Sequence, residues 1–174
     1  IAIGMMVSGW YPVAIVNGSP ITARTWKRTE RAAIQFAQTS LLSLGGKPVD
    51  FMRMENAHLL LEARKTALLA LIEHKLIKEQ GSAVVADLES IAHDRVRSAL
   101  ARISEFGAAS QLMYGLDVKN LRALVLMPQA RRDILQETLA GQHKDFLIWL
   151  EEIKQKASVR LLFMPFFWDG AGVK

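Results

Sequence analysis

Cysteine is absent from the 174 residues. That excludes a disulfide framework, a thiol nucleophile and a thiolate metal site, and it is compatible with an oxidising compartment without fixing one. Long hydrophobic runs are absent too. The opening IAIGMMVSGW carries no charge, but it falls well short of the roughly 20 apolar residues that span a bilayer. Charge of one sign is in small excess: 22 Lys and Arg against 17 Asp and Glu leave a formal +5. Such a balance admits an anionic partner and demands none. Motifs for covalent chemistry are missing. GxGxxG, Walker A, GxSxG and HExxH do not occur, and Gly45-Gly46-Lys47 lacks the Ser or Thr and the preceding strand of a phosphate loop. The four histidines (His58, His74, His93 and His143) are scattered and read as exposed positions on helix surfaces. No catalytic residue, metal or cofactor is expected.

What is present is apolar periodicity. Hydrophobic residues make up 51% of the chain, enough for a core. Spacings of three and four predict helices over 23–42, 50–80, 87–105, 109–114, 117–139 and 144–156. The second would be about 45 Å long at 1.5 Å per residue, so part of it should project from the body. Pro128 lies inside the fifth helix, where it removes the bond to the carbonyl of Leu124 and predicts a kink. Thr22, Asp117 and Asp87 stand at N-cap positions, and Gly45 and Gly81 at helix ends.

Strand signals occur only at the two ends. VAIV at 13–16 is an apolar run, mostly β-branched, ended by the Asn17-Gly18 turn and by Pro20 as a second breaker. VRLLF at 159–163 is the other, stopped by Pro165. A lone strand leaves backbone groups unpaired, so the two are expected to pair. The predicted fold is mostly α, a multi-helix domain with a two-stranded sheet joining the N- and C-terminal strands. Residues 13–168 form one domain and 169–174 a frayed tail. Residues 1–12 read as the tail of an anchor or signal segment, with Trp10 and Tyr11 near a membrane interface; an extra strand or a leader is the alternative.

Three stretches carry a family likeness. VAIVNGSPIT is an apolar strand running through Asn-Gly into a helix. ALLALIEHKLIKEQG is an apolar helix closing on glycine. LIWLEEIKQKASVRLLF is a closing helix stepping into a final strand. Together they resemble the N-terminal core of the SurA- and PrsA-type extracytoplasmic chaperones, which is related to the chaperone region of trigger factor. The likeness covers roughly residues 13–163. It implies a helical chaperone domain outside the cytoplasm, in a bacterial periplasm or at the cell surface; the uncharged opening segment adds the expectation of a membrane tether through residues upstream of Ile1. Two departures stand out. Ala86 occupies a place where the family commonly has Ser or Thr, so Asp87 would take over the cap. Many members also carry a parvulin prolyl isomerase domain before the closing helix, whereas only Gly141-Gln142-His143 stands there. Isomerase activity is therefore not implied.

The expected partner is unfolded or extended polypeptide, held in a cleft between the first, the long and the kinked helices. Client-binding candidates are Trp26, Phe36, Met52, Met54, Met113, Tyr114 and Met127, because methionine and aromatic side chains adapt to varied apolar partners. Core filling is the competing reading of the same residues. A scaffold module binding one fixed partner, or self-associating as a homodimer, is the alternative function. Arg24, Lys27, Arg28 and Arg31 form a basic run without the interleaved aromatics of a single-strand binder, so nucleic acid is not expected; the run reads as a solvated helix face, or as lying near lipid headgroups if the chain is membrane-anchored.

Overall fold

The computed structural model describes residues 9–174 except 52 and 103–105. The first eight positions of the expected anchor tail lie outside the described residues, as does Met52. The architecture is mostly helical with a small antiparallel sheet of order β2-β1-β3. Strand β1 (Pro12–Val16) is central, β2 (Ser19–Thr22) lies on one side, and β3 (Val159–Leu161) on the other. The terminal strands pair as expected, with Ala14 opposite Leu161 and Val16 opposite Val159.

The sheet has three strands rather than two. Asn17 and Gly18 both adopt positive φ, 47° and 82°, the geometry of a two-residue hairpin turn whose twist matches the flanking strands. The chain therefore turns straight back, and SPIT runs beside β1. Pro20 is tolerated because β2 is an edge strand, where a missing N–H costs no ladder bond. Thr22 then caps helix α1 (Ala23–Ser43), its hydroxyl accepting from Thr25 N–H at 3.3 Å.

A short 3-10 turn (Met54–Asn56) leads into α2 (Ala57–Gln80). The expected start at 50 is too early. Asn56 Nδ2 donates to Asp50 O at 2.8 Å, a side-chain bond that competes with helix formation. At 24 residues α2 is about 36 Å long. Gly81 does not end it in a left-handed cap. Its φ is −64° and the chain continues into a 3-10 turn (Gly81–Ala83). The glycine is required for packing: an added Cβ would stand 2.5 Å from Leu88 Cδ2 and 3.1 Å from Leu135 Cδ1.

Helix α3 (Leu88–Ala101) follows, with Asp87 at its N-cap position but making no side-chain cap bond. Helix α4 (Phe106–Tyr114) starts earlier than expected and carries Gly107 in its first turn. Asp117 caps α5 (Val118–Leu121), accepting from Asn120 N–H at 2.7 Å. A π-helical segment (Arg122–Leu126) then joins α5 to α6 (Met127–Gly141). What the sequence reads as a kink at Pro128 is this widened turn just before it. Met127 N–H donates to Arg122 O, five residues back. The extra residue accommodates the proline's missing donor and its ring's clash with the carbonyl four residues earlier. Helix α7 (Phe146–Lys156) is capped by Asp145, which accepts from Leu147 N–H at 2.6 Å.

Two larger apolar clusters hold the body. One joins Ile77 of α2 to α3, α6 and α7 through Leu88, Val96, Ile134, Leu135 and Phe146. The other packs the sheet on α2 through Val13, Val16, Leu68, Ile72 and Leu76, with Phe166 as part of its cover. Bidentate ion pairs Arg131–Glu89 and Arg95–Glu137 tie α6 to α3. Residues 169–174 are not frayed. Phe167 and Lys174 exchange backbone bonds at 3.2 and 2.9 Å, and Asp169 Oδ1 accepts from Ala171 and Gly172 N–H.

Candidate functional site

The body and the helical arm differ sharply in burial. Among the described residues from 33 to 66, none is buried. This stretch comprises most of α1, the following loop and the first part of α2. It contains the apolar stripe that the periodicity assigned to a core, yet Leu42 and Leu44 are exposed, Leu44 at 85%, and Leu41, Leu59 and Leu61 stand partly clear. Buried residues of α1 are confined to Ala23 and Ala32, and those of α2 to the segment from Ala67 to Ile77. Helix α4 lies against this arm. Gln35 Nε2 donates to Leu112 O at 3.1 Å, while the Leu112 side chain remains exposed.

The sequence-derived candidates divide. Phe36 and Tyr114 stack with ring centroids 5.0 Å apart and 10° between planes. Met113 precedes Tyr114 on α4 and is exposed. Met54 is 94% exposed in the 3-10 turn before α2. Trp26 is half-buried; its Nε1 donates to Arg64 O at 3.2 Å and its ring packs toward the sheet cluster. Met127 is 5% exposed and belongs to the core, because the π-helical turn directs the start of α6 inward. It is not an accessible surface residue.

A cleft of about 660 Å³ opens between β2 and the start of α1, the C-terminal half of α2, α3, and the π segment. Its apolar lining includes Ile21, Leu71, Leu124 and Pro128; its polar lining includes Lys75, Lys78, Lys119 and Arg122. These are residues that sequence reasoning missed. Lys75 Nζ donates to Pro20 O at 3.2 Å, and Arg122 reaches His93 Nδ1 at 2.7 Å. Lys78 and Lys119 have no ion-pair partner among the described residues. The hairpin signal in Asn17-Gly18 would have placed Pro20 and Ile21 at a strand edge. Nothing local in the sequence brings that edge to Lys78 and Leu124.

His74, expected on an exposed helix surface, instead lines this cleft, half-buried. Burial, with Arg131 and Arg132 nearby, lowers its pKa to about 4, so it is neutral at physiological pH. The bond from Arg131 holds the Glu89 carboxyl below its usual range. On α7, buried Lys154 sits 2.8 Å from Glu151 and 3.4 Å from Glu73 of α2. Burial acts to lower the Lys154 pKa, but the two carboxylates outweigh it and the net shift is upward.

Among the described residues, no group of three or more His, Asp or Glu stands together as a metal site, and no helix is long and apolar enough to cross a membrane. The described residues thus display an exposed apolar arm and a separate cleft lined by apolar side chains and by Lys75, Lys78, Lys119 and Arg122. Comparison with protein-family models, curated proteins and solved structures finds no match for this chain.

Proposed function

We propose that this chain is a non-catalytic, chaperone-like domain that holds extended, partly apolar polypeptide outside the cytoplasm, from a membrane-tethered position. The observation that carries this reading is the arm. A helical pair displaying Phe36, Leu42, Leu44, Leu59 and Leu61, with no buried residue among those described from 33 to 66, is an apolar surface without a core of its own. Patches of that kind mark interaction sites. Flexible Leu and Met side chains let such a surface accept varied sequences. The cationic rim of the cleft adds attraction for acidic stretches of a client and sets its orientation.

The test is suppression of aggregation of an unfolded client by the purified chain. The double variant L42S/L44S removes exposed side chains only, so its melting temperature should stay near that of the wild type while protection falls. Undiminished protection by L42S/L44S, or no protection by the wild type, would overturn the proposal. A wild-type chain that protects nothing but forms a tight homodimer through the arm would support the alternative, a self-associating scaffold.

A further inference from the structure

A second groove, of about 590 Å³, lies along the first turns of α1. Its lining includes Arg24, Lys27, Arg28 and Arg31. Positions 24, 27, 28 and 31 are spaced by three and four, so they form one stripe along the helix. Lys119 lines the adjoining concavity. The acid lining these two concavities is Asp117, and both its oxygens already accept from Asn120, each at 2.7 Å. Arg28 Nη1 is held by Asn120 Oδ1 at 2.5 Å. Lys27 and Arg31 have no ion-pair partner among the described residues. The stripe is therefore cationic, partly pre-positioned and largely uncompensated.

Its edge is aromatic. The Arg24 guanidinium lies 5.7 Å from the centroid of the Trp10 ring, and Trp10 is 58% exposed. Gly9 lines the groove, and its carbonyl accepts from Arg24 N–H at 2.8 Å.

We propose that this face of α1 docks on an anionic membrane surface, with Lys27 and Arg31 meeting acidic phospholipid headgroups and Trp10 at the interface. Clusters of four or more basic residues on a helix bind anionic lipid, and an exposed indole favours the headgroup level. The aromatic residues do not form a base-stacking platform: Tyr114 is already stacked on Phe36, and Trp10 carries Arg24 on its face. The inference extends the membrane-side part of the proposed function and does not depend on client binding. Vesicle binding is measured without a client, so the two proposals fail separately.

The experiment is co-sedimentation of the 174-residue chain with vesicles of phosphatidylcholine alone or with phosphatidylglycerol added. Binding is expected only to the anionic vesicles, and it should weaken as salt rises from about 0.1 M toward 1 M. The double variant K27Q/R31Q should keep its fold, verified by thermal melting, and lose binding by roughly tenfold or more. Equal binding to neutral vesicles would overturn the proposal, as would an unchanged K27Q/R31Q. Preferential binding to polyglutamate or to a single-stranded oligonucleotide over anionic vesicles would overturn it too, in favour of a soluble polyanion.

Discussion

The body and the arm share two helices, α1 and α2. Helix α2 buries Leu68, Leu71, Ile72 and Leu76 under the sheet, while Leu59 and Leu61, two to three turns earlier on the same rod, stand partly in water. The local sequence does not distinguish these halves; both are rich in leucine at helical spacing. The partners distinguish them. The C-terminal half packs under the sheet and against α6 and α7, whereas the N-terminal half is held at Arg64 by Trp26 and Glu30 of α1 and buries no side chain among the described residues before Ala67. An apolar stripe states that a helix can be covered, and tertiary structure decides whether it is.

The largest way to break this contrast is to remove what closes the body. Deleting 158–174 takes away β3, buried Phe166 and the strand bond from Leu162 N–H to Val13 O at 2.8 Å. Losing one buried aromatic and several strand bonds costs about 4 kcal/mol or more. The expected result is loss of the cooperative thermal transition. A truncated chain melting at the wild-type temperature would show that the sheet does not support the body.

A smaller effect is expected at one point in the core. Leu135 is fully buried between α3, α6 and Gly81. Leu135→Ala should cost about 2–5 kcal/mol in denaturant unfolding, from lost transfer energy and the cavity left behind.

Next is the pH response of His74. Its folded pKa, about 4, lies below the ordinary value of 6.5. Above pH 6.5 both folded and unfolded chains hold it neutral, and stability does not respond to it. As pH falls from 6.5 toward 4 the unfolded chain takes up the proton first, so stability is lost over that window. The loss between pH 7 and pH 5 should be about 1–2 kcal/mol. Glu89 has a lowered carboxylate pKa, so its contribution is lost only below its ordinary value of 4.5, outside most of this range. His74→Gln should flatten the dependence measured by chemical denaturation; an unchanged slope would remove His74 as its source.

The smallest effect is expected on the arm. Leu44→Ala should change stability by less than about 0.5 kcal/mol. A larger loss would mean that the arm is covered in solution, for instance by a second copy.

Much of the fold is legible in the residues. The two terminal strands, the caps at Thr22 and Asp117 and most helix spans follow from β-branched runs, short polar side chains and spacings of three and four. The third strand was legible as well: Asn-Gly between an apolar run and Ile21 is a hairpin signal, and Pro20 hid it by reading as a breaker. Gly81 was readable as a helix end but not as a contact, since Leu88 and Leu135 reach it only through tertiary packing. Of the candidate surface, Phe36 and Tyr114 come together because α4 lies along α1. Met127 left the set because the π segment rotates α6 by an extra residue. The cleft's cationic rim draws on residues from positions 75 to 122, and a linear pattern carries no trace of that convergence.

Asn17 has a consequence for how the molecule is made. Its backbone N–H donates to Ser158 O, its Oδ1 accepts from Ser158 N–H, and its Nδ2 reaches Glu79. The bond to Ser158 spans 141 positions. A chain synthesised at roughly 5–20 residues per second holds β1 and its hairpin for on the order of ten seconds before β3 exists to flank it. Through that interval the open edge of β1 is a template for any other extended strand. Until its own last strand arrives, the nascent chain thus carries an open strand edge of its own.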